Sequence, residues 1–213
     1  MLRLSFDKYE VELVNESEYT FNSSDNAFNY HLVYQDNQPY QGSKHGIKVF
    51  LNGGIYQSAI VKASGGATGI YYDSAIVDNH NLLVCCSNQI FCLSLPDLNL
   101  NWMTKVDMAT CFGIYKTDDT IITWGEMTIA RLDRSGNILW STGFRDIIFK
   151  LDDSDGSAFL LRDKFVEITD FAGNKYKVDF DGKIIEDIKS DLQKRSDLAH
   201  IRLSKKPWWK FWK

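Results

Sequence analysis

The sequence predicts a mainly β protein: a small or incomplete β-propeller-like stack of antiparallel sheets, followed by a C-terminal helix and an aromatic tail. Three observations predict it. Strand-like runs rich in β-branched and aromatic residues recur along the chain, bounded by Asp, Gly, Asn and Ser turns. Landmarks within these runs return at a nearly fixed period between Leu82 and Phe180. The β pattern then gives way to a charged segment with spaced apolar residues and, last, a Trp-rich stretch.

The repeats come first. Leu83-Val84, Ile121-Ile122 and Phe159-Leu160 open three successive units, read as residues 82–117, 118–155 and 156–185. The second strands are Phe91–Leu95, Thr128–Leu132 and Lys164–Ile168. Leu95 and Leu132 stand 37 residues apart, and Leu132 and Ile168 stand 36 apart. A turn follows each: Pro96-Asp97, Asp133–Gly136 and Asp170–Gly173. An aromatic sits in each third strand, at Trp102, Trp140 and Tyr176. One small sheet cannot bury both of its faces, so such units must stack. The recurring aromatic is then expected to wedge between neighbouring sheets.

Upstream, Tyr9–Val14, Tyr30–Tyr34, Ile47–Leu51 and Tyr56–Ala63 read as strands, and Asn52-Gly-Gly54 as a hairpin turn. Residues 1–81 are thus expected to supply one or two degenerate units, completing a β domain over 1–185. Glu186–Ile201 spaces Ile188, Leu192, Leu198 and Ile201 as an amphipathic helix would. Residues 186–213 are read as that helix plus a basic, Trp-rich tail.

Composition narrows the function. The chain has 213 residues, 44% of them hydrophobic, and carries a net charge of −4. Residues 194–213 hold a local balance of +6, which leaves −10 for the body. An acidic body disfavours nucleic acid, which needs a basic field. The N-terminus lacks the pattern of a secretory signal, and no apolar run is long enough to span a bilayer. A cytoplasmic location is the expectation. In a reducing compartment Cys85, Cys86, Cys92 and Cys111 read as small core residues. No metal site is expected. The cysteines lack zinc spacing, and Asp152–Gly156 fails as a calcium loop because Leu151 and Arg162 stand at its ends.

The segment Leu132-Asp-Arg-Ser-Gly-Asn-Ile-Leu-Trp140 resembles the repeat of quinoprotein-like (PQQ-type) β-propellers. Ser64–Gly69 and Ala109–Tyr115 are similar to segments of a group of bacterial proteins of uncharacterised activity. The resemblance implies a propeller-like fold and a bacterial source, and it supplies no activity. Quinone chemistry is not expected from it, because those enzymes resemble larger, exported, calcium-holding rings. No cofactor is expected.

Two sets of candidate residues remain. Gly65, Gly66, Thr68 and Gly69, in the loop Ser64-Gly-Gly-Ala-Thr-Gly69, could converge backbone N–H groups on a ligand, with His80 nearby. The loop lacks the Lys-Ser/Thr pair of a nucleotide-binding P-loop. Trp208, Trp209, Phe211 and Trp212 could anchor a protein partner, contact a membrane surface, or seal an open sheet edge. No catalytic triad or nucleophile elbow is evident. The expectation is a non-enzymatic binding protein with a protein partner, in concrete form an immunity- or antitoxin-type protein. The alternative is a small-molecule sensor or enzyme with its site near residues 64–69.

Overall fold

The computed structural model describes residues 1–150 and 157–204, with side chains described as far as Asp197. The chain divides into two compact units, Met1–Gly143 and Phe144–Lys213. It is mainly β, with four sheets and one C-terminal helix.

The first unit is a stack of three sheets. The first sheet contains β1 (Leu2–Phe6), β2 (Tyr9–Asn15), β3 (Leu32–Gln35), β4 (Ser43–Leu51) and β5 (Gly54–Ala63). Their spatial order is β1-β2-β4-β5-β3. The Asn52-Gly53 turn joins β4 to β5 with both residues at positive φ, +53° and +81°. That conformation matches the twist of the strands it connects. β3 pairs with β5 in parallel, the one parallel contact among the described strands. Residues 1–63 therefore form one mixed sheet, and the next strand already belongs to the following one.

The second and third sheets are four-stranded antiparallel meanders. One holds β6 (Ala75–Asp78), β7 (Asn81–Cys86), β8 (Gln89–Ser94) and β9 (Leu100–Lys105). The other holds β10 (Cys111–Lys116), β11 (Ile121–Gly125), β12 (Thr128–Leu132) and β13 (Ile138–Gly143). Alternation of side chains makes the second sheet two-faced. Leu82, Val84, Cys86, Phe91 and Leu93 pack with Val11, Leu13, Ile47, Val49, Ala59 and Val61 of the first sheet. Leu83, Cys85, Ile90 and Cys92 pack with Cys111, Ile114, Ile121, Ala130 and Leu132 of the third. This is why Leu82–Cys86 is apolar at every position rather than at every other one.

Trp102 of β9 lies against the β12–β13 turn, as a wedge should. Its Nε1–H donates to Arg134 O at 3.1 Å, and Thr104 Oγ1 donates to Gly136 O at 2.7 Å. A Cβ on Gly136 would fall 2.5 Å from the indole. The same turn is tied to the second sheet by charge, since nearly buried Asp78 receives Arg134, and also Lys116 at 2.6 Å.

The second unit carries the fourth sheet: β14 (Phe159–Leu161), β15 (Phe165–Thr169), β16 (Lys175–Asp179) and β17 (Ile184–Ile188). Here the structure corrects the repeat frame. By register, Cys92 faces Trp102 and Arg131 faces Trp140, each beside a bulge in the last hairpin of its sheet. The matching position in the fourth sheet is Glu186, which faces Lys177 beside the same bulge. Tyr176 lies one strand earlier and is not the third wedge.

The cause is a duplicated turn. Asp170–Asn174 and Asp179–Lys183 both fold as Asp133–Asn137 does. In each, the Asp Oδ1 accepts the backbone N–H four residues on, and the Gly takes φ near +80°. Tyr176 is instead a polar anchor. Its hydroxyl donates to buried Asp170 at 2.8 Å and accepts from Arg145 at 3.0 Å, and Arg145 also pairs with Asp187. Buried Ile148, Phe159, Val166, Ile168, Tyr176 and Val178 supply the core.

The helix boundary also moves. Glu186–Ile188 are strand, held to β16 by the Tyr176–Asp187 and Lys177–Glu186 pairs. The helix α1 spans Asp191–Ser204. Ser190 caps it by accepting the Gln193 N–H at 3.0 Å, and Asp191 favours the positive end of its dipole. Leu192 is exposed. The Trp208, Trp209, Phe211 and Trp212 candidates, and the Asp152–Gly156 segment, lie outside the described residues.

Candidate functional site

At one end of the first unit the glycine loop meets loops from all three sheets. Gly65 adopts φ +113°, and a Cβ there would sit 2.7 Å from Ala109 O. Gly66 donates its N–H to Ala109 O at 2.8 Å, and a Cβ on it would overlap Thr110 Oγ1 at 2.0 Å. Ser87 Oγ donates to Ser64 O and Gly66 O at 2.5 and 2.9 Å. Thr68 N–H donates to Ser43 Oγ at 2.7 Å, and Thr68 Oγ1 accepts the Ser87 N–H at 2.9 Å. The glycines are therefore needed for close backbone crossing. The Gly66 and Thr68 amides point into the protein, not toward a ligand.

Two nearly buried carboxylates fix these loops. Asp36, just after β3, accepts five hydrogen bonds: Ser64 N–H (2.8 Å), Ser64 Oγ (2.5 Å), Gln89 Nε2 (2.9 Å), Gln41 Nε2 (3.0 Å) and Gln38 N–H (3.3 Å). Burial alone would raise its pKa, but the Ser64 hydroxyl and amide and the further donors hold it below the usual carboxylate range. Asp107, just after β9, accepts five more: the N–H groups of Ala109, Thr110, Met127 and Thr128, and the Thr128 hydroxyl, at 2.7–3.1 Å. Each carboxylate follows the end of a strand and grips the second hairpin of the next sheet. The surface they fix carries Tyr40 at 73% exposure and Met108 at 77%. The two are linked through Gly42 against Gly65, and Gly66 against Ala109.

A cleft of about 440 Å³ opens beside the loop, lined by Ser17, Tyr40, Gln41, Lys44 and Thr68 among others. Behind it His45 is buried, with Nε2 3.1 Å from Thr68 Oγ1 and Nδ1 unpaired. Burial depresses its pKa to about 4, so the ring is neutral at pH 7.

The structure thus gathers Gly65, Gly66 and Thr68 with His45, a histidine the sequence did not single out. His80 stands elsewhere, in the β6–β7 turn at the other end of β7. Its ring meets Phe6 edge-on and its carbonyl accepts the Leu95 N–H. Gly69 packs by Tyr71 and Asn15.

The comparisons with known proteins follow this geometry. No protein-family model and no curated protein sequence matches the chain. Among solved structures it is similar to BamB from Moraxella catarrhalis, at 14% identity and a TM-score of 0.45, over 70% of this chain and 46% of that one. It is similar also to the AfRom2 CNH domain, at 12% identity and a TM-score of 0.43, over 69% and 48% respectively. The chain spans about half the length of these structures.

Among the described residues no group of His, Cys, Asp and Glu is arranged to hold a metal ion, and no helix is long and apolar enough to cross a membrane. The four thiols are buried. Burial pushes Cys85 and Cys86 well above the normal thiol range, and Cys92 up to about 11. Cys85, Cys86 and Cys92 are therefore protonated at neutral pH and are poor nucleophiles.

Proposed function

We propose that this chain is a non-enzymatic interaction protein that binds another protein through the loop end of its first unit. One observation carries the reading: Asp36 and Asp107 together accept ten hydrogen bonds that hold separate loops rigid around exposed Tyr40 and Met108. Loops fixed before binding lose little entropy on association, and exposed aromatic and Met side chains are favoured interface anchors. The excess of acid in residues 1–193 suits a basic partner. In a bacterial cytoplasm this is the profile of an immunity- or antitoxin-type protein.

The test is affinity capture from the native host with wild type, a Tyr40→Ala/Met108→Ala double variant and a form lacking residues 205–213. The reading expects a stoichiometric basic partner, kept by the truncated form and lost by the double variant at unchanged melting temperature. A partner retained by the double variant places the interface elsewhere. A second reading, a small-molecule site beside residues 64–69, is favoured by the cleft along Tyr40, Lys44 and Thr68. Thermal-shift screening separates the two, since a tight ligand raises stability by mass action.

A further inference from the structure

The second and third sheets meet across a pair of free thiols. Cys85 of β7 points into the core that these two sheets share, and so does Cys111, the first residue of β10. Both are fully buried, and their Sγ atoms stand 3.2 Å apart although 26 residues separate them in sequence. Among the described residues this is the one contact between two thiols.

The other two cysteines are directed elsewhere. Cys86 follows Cys85 on the same strand and so faces the opposite way. Its Sγ reaches Ser43 O at 3.5 Å and Val61 O at 3.7 Å in the first sheet. Cys92 shares the core with Cys85, but by register it lies opposite Leu83 on one side and Trp102 on the other. Its Sγ meets the Asn101 amide at 4.0 Å.

The backbone holds the pair in place. Cys111 donates its N–H at 2.7 Å to the carbonyl of Ser87, two residues beyond Cys85, so the start of β10 is pinned beside the end of β7. A disulfide needs its sulfurs about 2.05 Å apart. The two thiols are therefore about 1.1 Å short of a bond, a gap that a small turn of each side chain about χ1 closes. Burial opposes the reaction once the fold is complete. A thiol attacks a disulfide as its thiolate, and burial raises the Cys85 pKa well above the normal range. A fully buried sulfur also offers no approach to an incoming reagent. Exchange is open only before the two sheets close on each other.

We infer that Cys85 and Cys111 form a disulfide between the second and third sheets when the chain folds in the presence of a small disulfide such as oxidised glutathione, and that the closed fold then preserves whichever state, dithiol or disulfide, it closed with. One cysteine attacks the small disulfide, releases one thiol and becomes a mixed disulfide. The other attacks that mixed disulfide and releases the second thiol. The two cysteines lose two electrons and two protons in all, and the small disulfide gains them. The inference is independent of the protein-interaction reading, whose test involves neither thiol.

The experiment refolds the reduced, urea-unfolded chain in a buffer of reduced and oxidised glutathione, in which wrong pairs reshuffle. The product is mapped by tryptic digestion and mass spectrometry without reduction. Cys85 lies in the tryptic peptide 63–105 and Cys111 in 106–116, and the two should appear as one linked species. Cys86 and Cys92 share the first peptide, so a Cys86→Ala/Cys92→Ala variant should keep the link and Cys85→Ala should lose it. The linked protein should match the reduced one in near-ultraviolet circular dichroism. The already folded, reduced chain should stay unlinked in the same buffer, and the linked folded chain should resist reduced glutathione until urea is added. No link after refolding, a link that persists in Cys85→Ala, or a linked product without the native spectrum overturns the inference. Linkage of the already folded chain, or ready reduction of the linked one, overturns its second half.

Discussion

Replacing Asp107 by Ala tests the loop scaffold directly. The carboxylate is 5% exposed and accepts from four backbone N–H groups and one hydroxyl. The Thr128 hydroxyl keeps a second acceptor, Val106 O at 3.0 Å, so its loss is small. The Thr110 N–H belongs to a residue only 3% exposed and would be stranded, at about 1–3 kcal/mol. Ala109, Met127 and Thr128 are half-buried, and water recovers part of each bond, leaving about 0.5–1 kcal/mol apiece. The expected loss is therefore about 3–5 kcal/mol, a large share of a typical domain's stability. Asp107→Asn should cost less, about 2–3 kcal/mol, because one oxygen still accepts while the new NH₂ faces donors. Urea unfolding followed by Trp fluorescence reads the midpoint, with exposed Asp119→Ala as a control expected within about 0.5 kcal/mol. A loss below about 1 kcal/mol for Asp107→Ala, at unchanged m-value, would refute the claim that this carboxylate organises the loops.

Other outcomes follow from the same structure. Gly136→Ala should destabilise by about 2–3 kcal/mol, from positive φ and the approach to Trp102, and Trp102→Ala should cost about 2–4 kcal/mol. In a double-mutant cycle the pair should couple, because removing the indole relieves the clash; strict additivity would count against the wedge. His45 is held neutral when folded, with a pKa near 4 against about 6.5 unfolded. The unfolded chain binds the extra proton, so stability is full above pH 6.5 and falls by about 3 kcal/mol on approach to pH 4. His45→Gln should flatten that segment of a stability–pH profile, and an unchanged slope would exclude the assignment. Tyr176→Phe should cost about 1–2 kcal/mol by leaving buried Asp170 Oδ2 short of a donor, measured in the same urea assay. The four cysteines should resist a thiol-titrating disulfide reagent in native buffer and react fully in denaturant.

Much of the fold was legible where local chemistry alone decides it. The Asn52-Gly53 hairpin, the Asp133–Gly136 turn and the apolar run Leu82–Cys86 carry their geometry in adjacent residues. The third repeat was misframed because Asp170–Gly173 and Asp179–Gly182 are equally good turns nine residues apart. Register alone separates them, through a bulge that places Glu186 opposite Lys177. The strand Ile184–Ile188 overlaps the predicted helix for the same reason, since its support is the cross-strand ion pair of Lys177 with Glu186 and the pairing of Asp187 with Arg145, a residue distant in sequence. The candidate site was less legible. The glycines of 64–69 stand out in the sequence as a ligand loop, whereas the structure uses Gly65 and Gly66 for close backbone crossing. Asp36 and Asp107 do not stand out, because most of their donors lie 20 to 53 residues distant. The one local hint was an aspartate just past the end of each strand.

The two-faced burial of Leu82–Cys86 has a consequence for how this chain can vary. A strand with one wet side tolerates polar substitution at every second position, so its record of accepted changes has a period of two. This strand has no wet side, since Leu82, Val84 and Cys86 meet one neighbouring sheet and Leu83 and Cys85 the other. A saturation scan should find a uniform block of intolerance five residues long. Hydrophobic replacements of similar volume should pass at all five positions, and charges at none. The segment is the natural anchor for aligning distant sequences that share the stack, even where the loops around Asp36 and Asp107 have diverged.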